Sequence, residues 1–141
     1  MVGRDEIQAL IPHQGAMCLW DEVIEWDPSR IVLRADNHRG SDHPLRSGGR
    51  LRAIHLCEYS AQAMAVHGGL LASADGGSAR PGRLVALRQV ALHAARIDGL
   101  PGSLQCEAHV LAQTQDSQQY GFRIWHQDTL LAEGRAAAML R

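Results

Sequence analysis

LRAIHLCEYSAQAMAVHGGLL, residues 51–71, is the stretch that decides the fold, because it is the one long segment with a helical period. Small or apolar residues recur in it at alternating steps of three and four: Ile54, Cys57, Ala61, Met64, Gly68 and Leu71. Many of its residues are unusually small, which permits close approach of other elements: Ala53, Ser60, Ala61, Ala63, Ala65, Gly68 and Gly69. We therefore expect a helix that a sheet can surround.

Runs with strand character flank this helix on both sides. Two precede it, residues 18–26 and 30–35, separated by the turn signal Asp-Pro-Ser. Four more follow it and alternate apolar with polar residues: 83–97, 103–113, 119–127 and 130–140. The order β-β-α-β-β-β-β predicts an α+β fold in which an antiparallel sheet of five to six strands wraps around one long helix. With no internal repeat or linker, we expect a single domain over residues 1–141.

The composition excludes several classes of function. Fourteen basic and fifteen acidic side chains give a formal net charge of −1, so no overall positive field favours nucleic acid or an anionic membrane. All the basic residues are arginine, and without lysine Schiff-base catalysis and a lysine-bearing phosphate loop are excluded. The three cysteines lack CxxC spacing, which indicates neither a disulfide framework nor a thiolate metal site. With no leader-like or membrane-spanning apolar stretch, we expect a cytoplasmic protein.

Two residues could supply acid and base chemistry: His43, in a polar loop, and Glu58, on the helix. Glu58, Gln62 and Ala65 share a helical face by their i, i+4, i+7 spacing. A carboxyl group on an enclosed helix is costly to keep ionised, and its neutral form is what a general acid needs. Histidine is the natural complementary base because it titrates at about pH 6.5. From the residues alone, an ordinary loop histidine and a solvated glutamate remain open alternatives.

Two segments carry a family resemblance. IPHQGAMCLWDEV, residues 11–23, resembles the Leu-Pro-His-x(7)-Asp-x-Val opening of bacterial 3-hydroxyacyl-ACP dehydratases of fatty-acid synthesis, which have the hotdog fold. DHPLRSGGRLRAIHLCEYSAQAM, residues 42–64, resembles their catalytic loop and the Glu-x-x-x-Gln helix that follows it. The matching positions are Pro12, His13, Asp21, His43, Glu58, Ala61 and Gln62. The resemblance spans most of the chain.

Three departures from that pattern indicate a different branch of the dehydratases. The connection from His43 to Glu58 is one residue longer, Gly-Arg-Leu-Arg-Ala replaces the Met-Pro-Gly turn before the helix, and Pro44 directly follows His43. In these features the chain looks closer to the dehydratase-like proteins of aryl polyene lipid biosynthesis. Those proteins and this chain share the sequence pattern DHPL…EY-AQAMAVHG.

The resemblance implies a mechanism that needs no bound cofactor. A 3-hydroxyacyl chain on the phosphopantetheine arm of an acyl carrier protein enters a tunnel beside the helix. His43 removes the α-proton and Glu58 protonates the departing 3-hydroxyl, which gives the trans-2-enoyl thioester. A backbone N–H at or next to Ala53 would stabilise the charge that develops on the carbonyl oxygen, with Gln62 and His13 near the substrate. In related dimers the histidine and the acid come from different subunits, so we expect a homodimer, or a heterodimer with a related hotdog protein.

Four arginines near the expected entrance could bind the acidic carrier protein or the phosphate of its arm: Arg46, Arg50, Arg80 and Arg83. Surface solubility explains any one of them equally well. The histidines of the helix and of the later strands have no shared face, and we expect no metal site.

These features together predict an enzyme, a 3-hydroxyacyl-ACP dehydratase of fatty-acid-like or polyene biosynthesis. Two alternatives remain open. The chain could be a non-catalytic hotdog partner subunit of an active dehydratase, which the long connection between His43 and Glu58 would suit. It could also be a hotdog acyl-thioesterase in which Glu58 activates a water molecule.

Overall fold

The helical segment forms α2, Leu56–Ala74, which follows a single 3-10 turn at Ala53–His55. The computed structural model describes residues 2–12, 14–77 and 82–140. Most of the circumference of α2 is buried, and one face along its length is only half-buried: Glu58, Ala61, Ala65, Gly68, Leu71 and Ala72. This face positions the candidate site.

A Schellman motif ends α2. Gly76 has a φ of 79°, which glycine adopts without strain, and its N–H donates to the Ser73 carbonyl oxygen at 3.0 Å. The Gly77 N–H donates to the Ala72 carbonyl oxygen at 2.9 Å. The Asp-Gly-Gly segment in the sequence therefore ends the helix.

All strands belong to one antiparallel sheet in the order β1-β2-β3-β5-β6-β7-β4. The elements before α2 are β1 Val2–Gly3, α1 Arg4–Leu10, β2 Glu22–Asp27 and β3 Arg30–Ala35. Those after it are β4 Gly82–Leu92, β5 Leu104–Gln113, β6 Ser117–His126 and β7 Thr129–Leu140. Within the part of the chain that the structure describes, β4 pairs only with β7, so β1 and β4 are the two edges of the sheet.

The predicted architecture is confirmed, with one strand more than expected. The described residues form a seven-stranded sheet because the two-residue β1 pairs with Glu22 and Val23 of β2. The helix α1 was not predicted, since only Ile7 of its seven residues is buried and it has no clear apolar period. Within the described residues, no helix combines the length and the apolar character that crossing a bilayer requires.

The core lies between α2 and the concave face of the sheet. Its largest fully buried side chains include Trp20, Tyr59 and Tyr120. The Trp20 indole N–H donates to the Tyr59 carbonyl oxygen at 2.8 Å, and the two rings pack edge to face. His67 of α2 is bonded at both ring nitrogens, to the Tyr120 hydroxyl and the Asp27 carbonyl oxygen. These buried polar groups are thus satisfied by partners inside the protein.

Helix α1 packs on α2 at Gly69. A Cβ atom at this position would lie 2.9 Å from the Leu10 Cβ atom and 3.1 Å from the Leu10 carbonyl oxygen. The neighbouring Gly68 is different, because its Cβ atom would meet only the Gln118 Nε2 atom, at 3.8 Å. Close helix packing therefore requires glycine at position 69 and not at position 68.

We predict that Gly69→Ala lowers the free energy of unfolding by about 1–3 kcal/mol, because the added methyl group overpacks the contact with Leu10. Gly68→Ala is the matched control. It should raise the free energy of unfolding by up to about 1 kcal/mol, since alanine is the better helix former. Urea denaturation at equal protein concentration measures both, and equal effects of the two substitutions would contradict this packing.

Candidate active site

A groove with a volume of about 820 Å³ runs along the half-buried face of α2; we call it the α2 groove. The end of α1, the segment that follows it, the start of β4 and the end of β7 border it. Most of its lining is apolar: Leu10, Ile11, Pro12, Ala61, Met64, Ala65, Gly68, Leu71, Leu84, Ala138 and Leu140. Glu58 lies near the helix N-terminus and Asp75 near the C-terminus. The groove is therefore an elongated apolar site with a carboxyl group at each end.

Gln62 holds Glu58 in this groove. Its Nε2 atom donates to Glu58 Oε1 at 3.3 Å and to the Met17 carbonyl oxygen at 2.7 Å. Its Oε1 atom accepts the Leu19 N–H at 2.8 Å. Only 1% of Gln62 is exposed, so both ends of the amide are used inside the protein. Gln62 thus positions Glu58 and fixes the segment before β2, and its expected contact with substrate stays a prediction.

His43 is buried, and both of its ring nitrogens are bonded. The Leu45 N–H donates to Nδ1 at 3.1 Å, and Nε2 lies 2.9 Å from the Tyr59 hydroxyl oxygen. The Tyr59 hydroxyl donates to Asn37 Oδ1 at 2.7 Å, and the Asn37 amide donates to the Leu19 carbonyl oxygen at 2.8 Å. A chain of four hydrogen bonds thus joins the loop before α2 to the helix and to the segment before β2.

The directions of these bonds fix the state of His43. A backbone N–H can only donate, so Nδ1 carries no proton and the neutral ring has its proton on Nε2, from where it donates to Tyr59. Burial lowers the pKa of His43, and the positive charge of Arg46 lowers it further. Burial also raises the pKa of Tyr59, so its hydroxyl keeps the proton that it donates to Asn37. In this arrangement His43 has no free lone pair for a substrate.

The two expected catalytic residues are not brought together within one chain. His43 contacts Tyr59, and it is absent from the described lining of the α2 groove, where Glu58 lies. Consecutive residues of a helix point about 100° apart, so the side chains of Tyr59 and Glu58 lie on different, neighbouring faces of α2. A site that contains both a histidine and Glu58 therefore needs another source for the histidine.

Of the two backbone N–H groups expected at or next to Ala53, the one of Ala53 already has an acceptor. Its N–H donates to the Ala95 carbonyl oxygen at 3.0 Å, beside a bridge between Arg52 and Arg96, so it is not an orphan donor. The next amide, of Ile54, has no acceptor among the described residues, and the Ile54 residue is 54% exposed. Ile54 lies one turn before Glu58 on the same helix face. The available first-turn donor is thus the residue next to Ala53, which the expectation of an N–H at or next to Ala53 includes.

The expected carrier-protein arginines divide into two groups. The Arg46 guanidinium donates to the Gly40, Gly49 and His38 carbonyl oxygens at 3.0, 2.8 and 3.3 Å, so it stabilises its own loop and is not available as a docking side chain. Arg50 and Arg83 are exposed. The other expected positions, Arg80 and His13, lie outside the described residues.

Sequence reasoning missed Tyr59 and Asn37. The signal for Tyr59 is that an aromatic residue follows Glu58 in a segment rich in small residues. Asn37 has no such signal. Within the part of the chain that the structure describes, no three His, Cys, Asp or Glu side chains are grouped so that they could hold a metal ion.

The comparisons with known proteins agree with this architecture. A family model described as ApeP-like, ApeP dehydratase, matches residues 5–140. The dehydratase heterocomplex ApeI:P from Xenorhabdus doucetiae has a similar structure, with a TM-score of 0.85 and 20% identity over 96% of this chain and 90% of that chain. A hypothetical thioesterase protein with coenzyme A from Streptococcus pneumoniae TIGR4 has a TM-score of 0.61 and 11% identity over 85% of this chain and 84% of that chain. None of the curated proteins matches significantly. At these identities the solved structures show the shared fold.

We predict that stability falls as the pH falls below about 6.5. Burial lowers the pKa of His38, His43 and His67 in the folded chain, whereas unfolding restores their ordinary pKa of about 6.5. The unfolded chain then binds more protons, so the free energy of unfolding decreases from about pH 6.5 downwards and is level above it. Urea denaturation between about pH 7.5 and pH 5.5 tests this, and the slope should be shallower in His67→Gln. A free energy of unfolding that is independent of pH in this range would refute the prediction.

Proposed function

Because this chain belongs to the ApeP-like dehydratase family, we propose that it forms part of a dehydratase that converts a 3-hydroxyacyl thioester on an acyl carrier protein to the trans-2-enoyl thioester. The observation that carries this proposal is Glu58, held by Gln62 at one end of the apolar α2 groove. An apolar groove suits an acyl chain, and a carboxyl group beside it suits protonation of a leaving hydroxyl. The pathway would be fatty-acid-like or polyene biosynthesis.

The proposed step breaks two bonds and forms one double bond. A base takes the proton from the α-carbon, the electrons of that bond form the C=C bond, and the β-carbon loses its hydroxyl group. Glu58 gives its proton to that hydroxyl, which leaves as water. The Ile54 N–H, at the start of the helix, would stabilise the negative charge on the thioester carbonyl oxygen. No bound cofactor is needed, since the substrate arrives on the phosphopantetheine arm.

We assign the base to a histidine of a partner subunit. No histidine lines the described part of the α2 groove, and the bonds from Leu45 and to Tyr59 occupy both nitrogens of His43. A dimer of this kind has two sites, and in the second one His43 of this chain would face the acidic residue of the partner. His43 could act as a base there only if its bond with Leu45 were broken. If that bond stays intact, His43 positions its loop. This chain then contributes no catalytic histidine to the site that contains the partner's acidic residue, and there it is a non-catalytic partner.

The partner would dock on β4. Among the described residues no strand pairs with the outer side of this edge strand, and it has several exposed apolar residues: Leu84, Val85, Leu87 and Leu92 are 38–51% exposed. Edge strands of this kind need a cover. Gly82 and Leu84 also border the α2 groove, so a chain that pairs with β4 would complete the groove wall. A related hotdog chain that pairs with β4 would give a heterocomplex. A second copy of this chain in the same position would give a homodimer.

The acyl carrier protein would be bound through exposed arginines. Arg50 and Arg83 are exposed and could bind the phosphate of the pantetheine arm or acidic side chains of the carrier protein. Arg46 would contribute indirectly, because its three bonds to carbonyl oxygens hold the loop from which Arg50 projects.

We predict that Glu58→Gln in the assembled complex lowers kcat/KM for dehydration at least about 100-fold, the usual contribution of a general acid. In a complex with a related hotdog chain, His43→Gln should retain most of the activity, because that chain supplies the base; in a homodimer the partner's histidine would be His43 itself, and the same substitution would remove it. Enoyl absorbance measures turnover with a 3-hydroxyacyl carrier-protein substrate. The matched control is Asp128→Asn, which neutralises an exposed carboxylate in the turn between β6 and β7 and should behave like wild type.

Two results would contradict this assignment. Unchanged dehydration by Glu58→Gln would remove Glu58 from the reaction. Complete loss of turnover in a folded His43→Gln complex would make His43 the base. Release of free thiol without enoyl formation would favour the thioesterase alternative.

We also predict that Val85→Arg weakens assembly with the partner at least about tenfold in Kd, because it places a charge on the apolar edge strand. Leu111→Arg on β5 is the matched control, since Leu111 is 41% exposed on a strand inside the sheet. Size-exclusion chromatography with light scattering measures the complex, both alone and with the related hotdog chain. Equal assembly by both variants would exclude β4 as the docking edge.

A further inference from the structure

Leu19 has both of its backbone polar groups bonded to side-chain amides. Its N–H donates to Gln62 Oε1 at 2.8 Å, and its carbonyl oxygen accepts from Asn37 Nδ2 at 2.8 Å. Leu19 precedes β2 and lies outside the described strands, so the sheet does not supply these partners. Its side chain is fully buried, where an unpaired backbone group would be costly. The two amides therefore hold Leu19 as a strand partner would hold a residue of a sheet.

The same two amides also bond to neighbouring side chains of α2. Gln62 Nε2 donates to Glu58 Oε1 at 3.3 Å. Asn37 Oδ1 accepts from the Tyr59 hydroxyl at 2.7 Å, and that hydroxyl lies 2.9 Å from His43 Nε2. A continuous hydrogen-bonded network therefore connects Glu58 with His43. Its members follow in this order: Glu58, Gln62, Leu19, Asn37, Tyr59 and His43.

The Gln62 amide presents a donor to Glu58 because its other bonds fix its orientation. The Leu19 N–H can only donate, so it requires the amide oxygen of Gln62. The Met17 carbonyl oxygen can only accept, so it requires the amide nitrogen. Met17 and Leu19 both belong to the segment before β2. The position of that segment therefore decides where the nitrogen of Gln62 meets Glu58.

Asn37 ties the same segment to α2. Its amide nitrogen faces the Leu19 carbonyl oxygen, and its amide oxygen faces the hydroxyl of Tyr59, a fully buried residue of the helix. Asn37 is absent from the described lining of the α2 groove, so it would act without touching the substrate. Loss of its N–H would leave a buried carbonyl oxygen unpaired, and the segment would move towards another donor. Gln62 and Glu58 would move with it.

We propose that Asn37 is a positioning residue for dehydration, which sets the position of Glu58 through Leu19 and Gln62. The proposal rests on the dehydratase function and adds to it a residue outside the groove. A general acid must come within about 2.6–3.2 Å of the atom that it protonates. A small displacement of Glu58 would therefore slow the reaction, whereas the apolar lining that binds the acyl chain would stay as it is.

Asn37→Asp tests the proposal in the assembled complex. The carboxylate can still accept from Tyr59, but it has no N–H for the Leu19 carbonyl oxygen. We expect kcat for a 3-hydroxyacyl carrier-protein substrate to fall at least about tenfold and KM to change less than about twofold, because the change misplaces a reacting group and leaves binding intact. Gln119→Glu, the same exchange of amide for carboxylate at an exposed position of β6, is the matched control and should behave like wild type. Unchanged kcat in a folded Asn37→Asp complex would overturn the proposal.

A double-mutant cycle separates the positioning of Glu58 from a general effect on the fold. In the Glu58→Gln background, Asn37→Asp should lower the residual kcat by less than about twofold, because the group that Asn37 positions is already absent. A further loss of about tenfold in that background would show that Asn37 acts independently of Glu58 and would contradict the proposal.

Exchange of backbone amide hydrogens, followed by NMR in the full-length chain, gives a readout that does not depend on dehydration. The Leu19 N–H should exchange at least about tenfold faster in Asn37→Asp than in wild type, because its bond with Gln62 is loosened. The Val110 N–H, which donates to the Ser29 carbonyl oxygen at 2.8 Å, reports on the sheet and should keep its wild-type rate. Equal acceleration of both amides, or of neither, would count against the network.

Tyr59→Phe is the second variant, for the case that Asn37→Asp does not fold. It removes the hydroxyl that orients Asn37 and keeps the aromatic ring in the core. It should lower kcat at least about threefold with KM within about twofold of wild type, and an unchanged kcat would overturn the proposal. Absence of turnover in the wild-type complex, together with selective acceleration of the Leu19 N–H in Asn37→Asp, would overturn the dehydratase function and leave the link from Asn37 to Gln62 in place.

Discussion

Enclosure of α2 by the sheet is the constraint on which the rest of the structure depends. A helix that is buried on most of its circumference must let its neighbours approach the backbone closely, and small residues such as Ser60, Ala63 and Gly69 permit this. Polar side chains on the enclosed sides are tolerated because each is bonded at both polar atoms, as for Gln62 and His67. The face that remains half-buried becomes the wall of the α2 groove.

The loop before α2 depends on the same helix for its shape. Tyr59 is fully buried, yet its hydroxyl reaches His43 and Asn37, and so the loop is tied to a part of the molecule that cannot move independently. Arg46 adds bonds within the loop itself. The N-terminus of α2, where Ile54 and Glu58 lie, is thereby held between two fixed segments. Such fixed surroundings are what a site needs if its groups are to be aligned before a substrate arrives.

Local features could be predicted from the sequence, and features that join distant segments could not. The helix, the strand order and the contact of Glu58 with Gln62 follow from spacings of two or of three to four residues. The apolar period of α2 did not identify its buried face: Ala61, Gly68 and Leu71 of that period are only half-buried, because an enclosed helix has apolar residues on all sides. The partners of His43 and of the Ala53 N–H lie on segments whose approach no local pattern encodes. The hydrogen-bond partners of these two residues therefore could not be predicted from the sequence.

The pairing of β4 with β7 has a consequence for how the chain is made. The register joins Gly82 to Leu140, so the edge strand that follows α2 pairs with β7, which comes three strands later in the sequence. During synthesis β4 would leave the ribosome with both of its edges open, and it would stay so until β7 emerged. Pairings over such separations in sequence also close slowly, since the loop between them must first be ordered. The newly made chain therefore exposes this apolar strand for a long interval, and capture by a chaperone or early pairing with another subunit would protect it during that time.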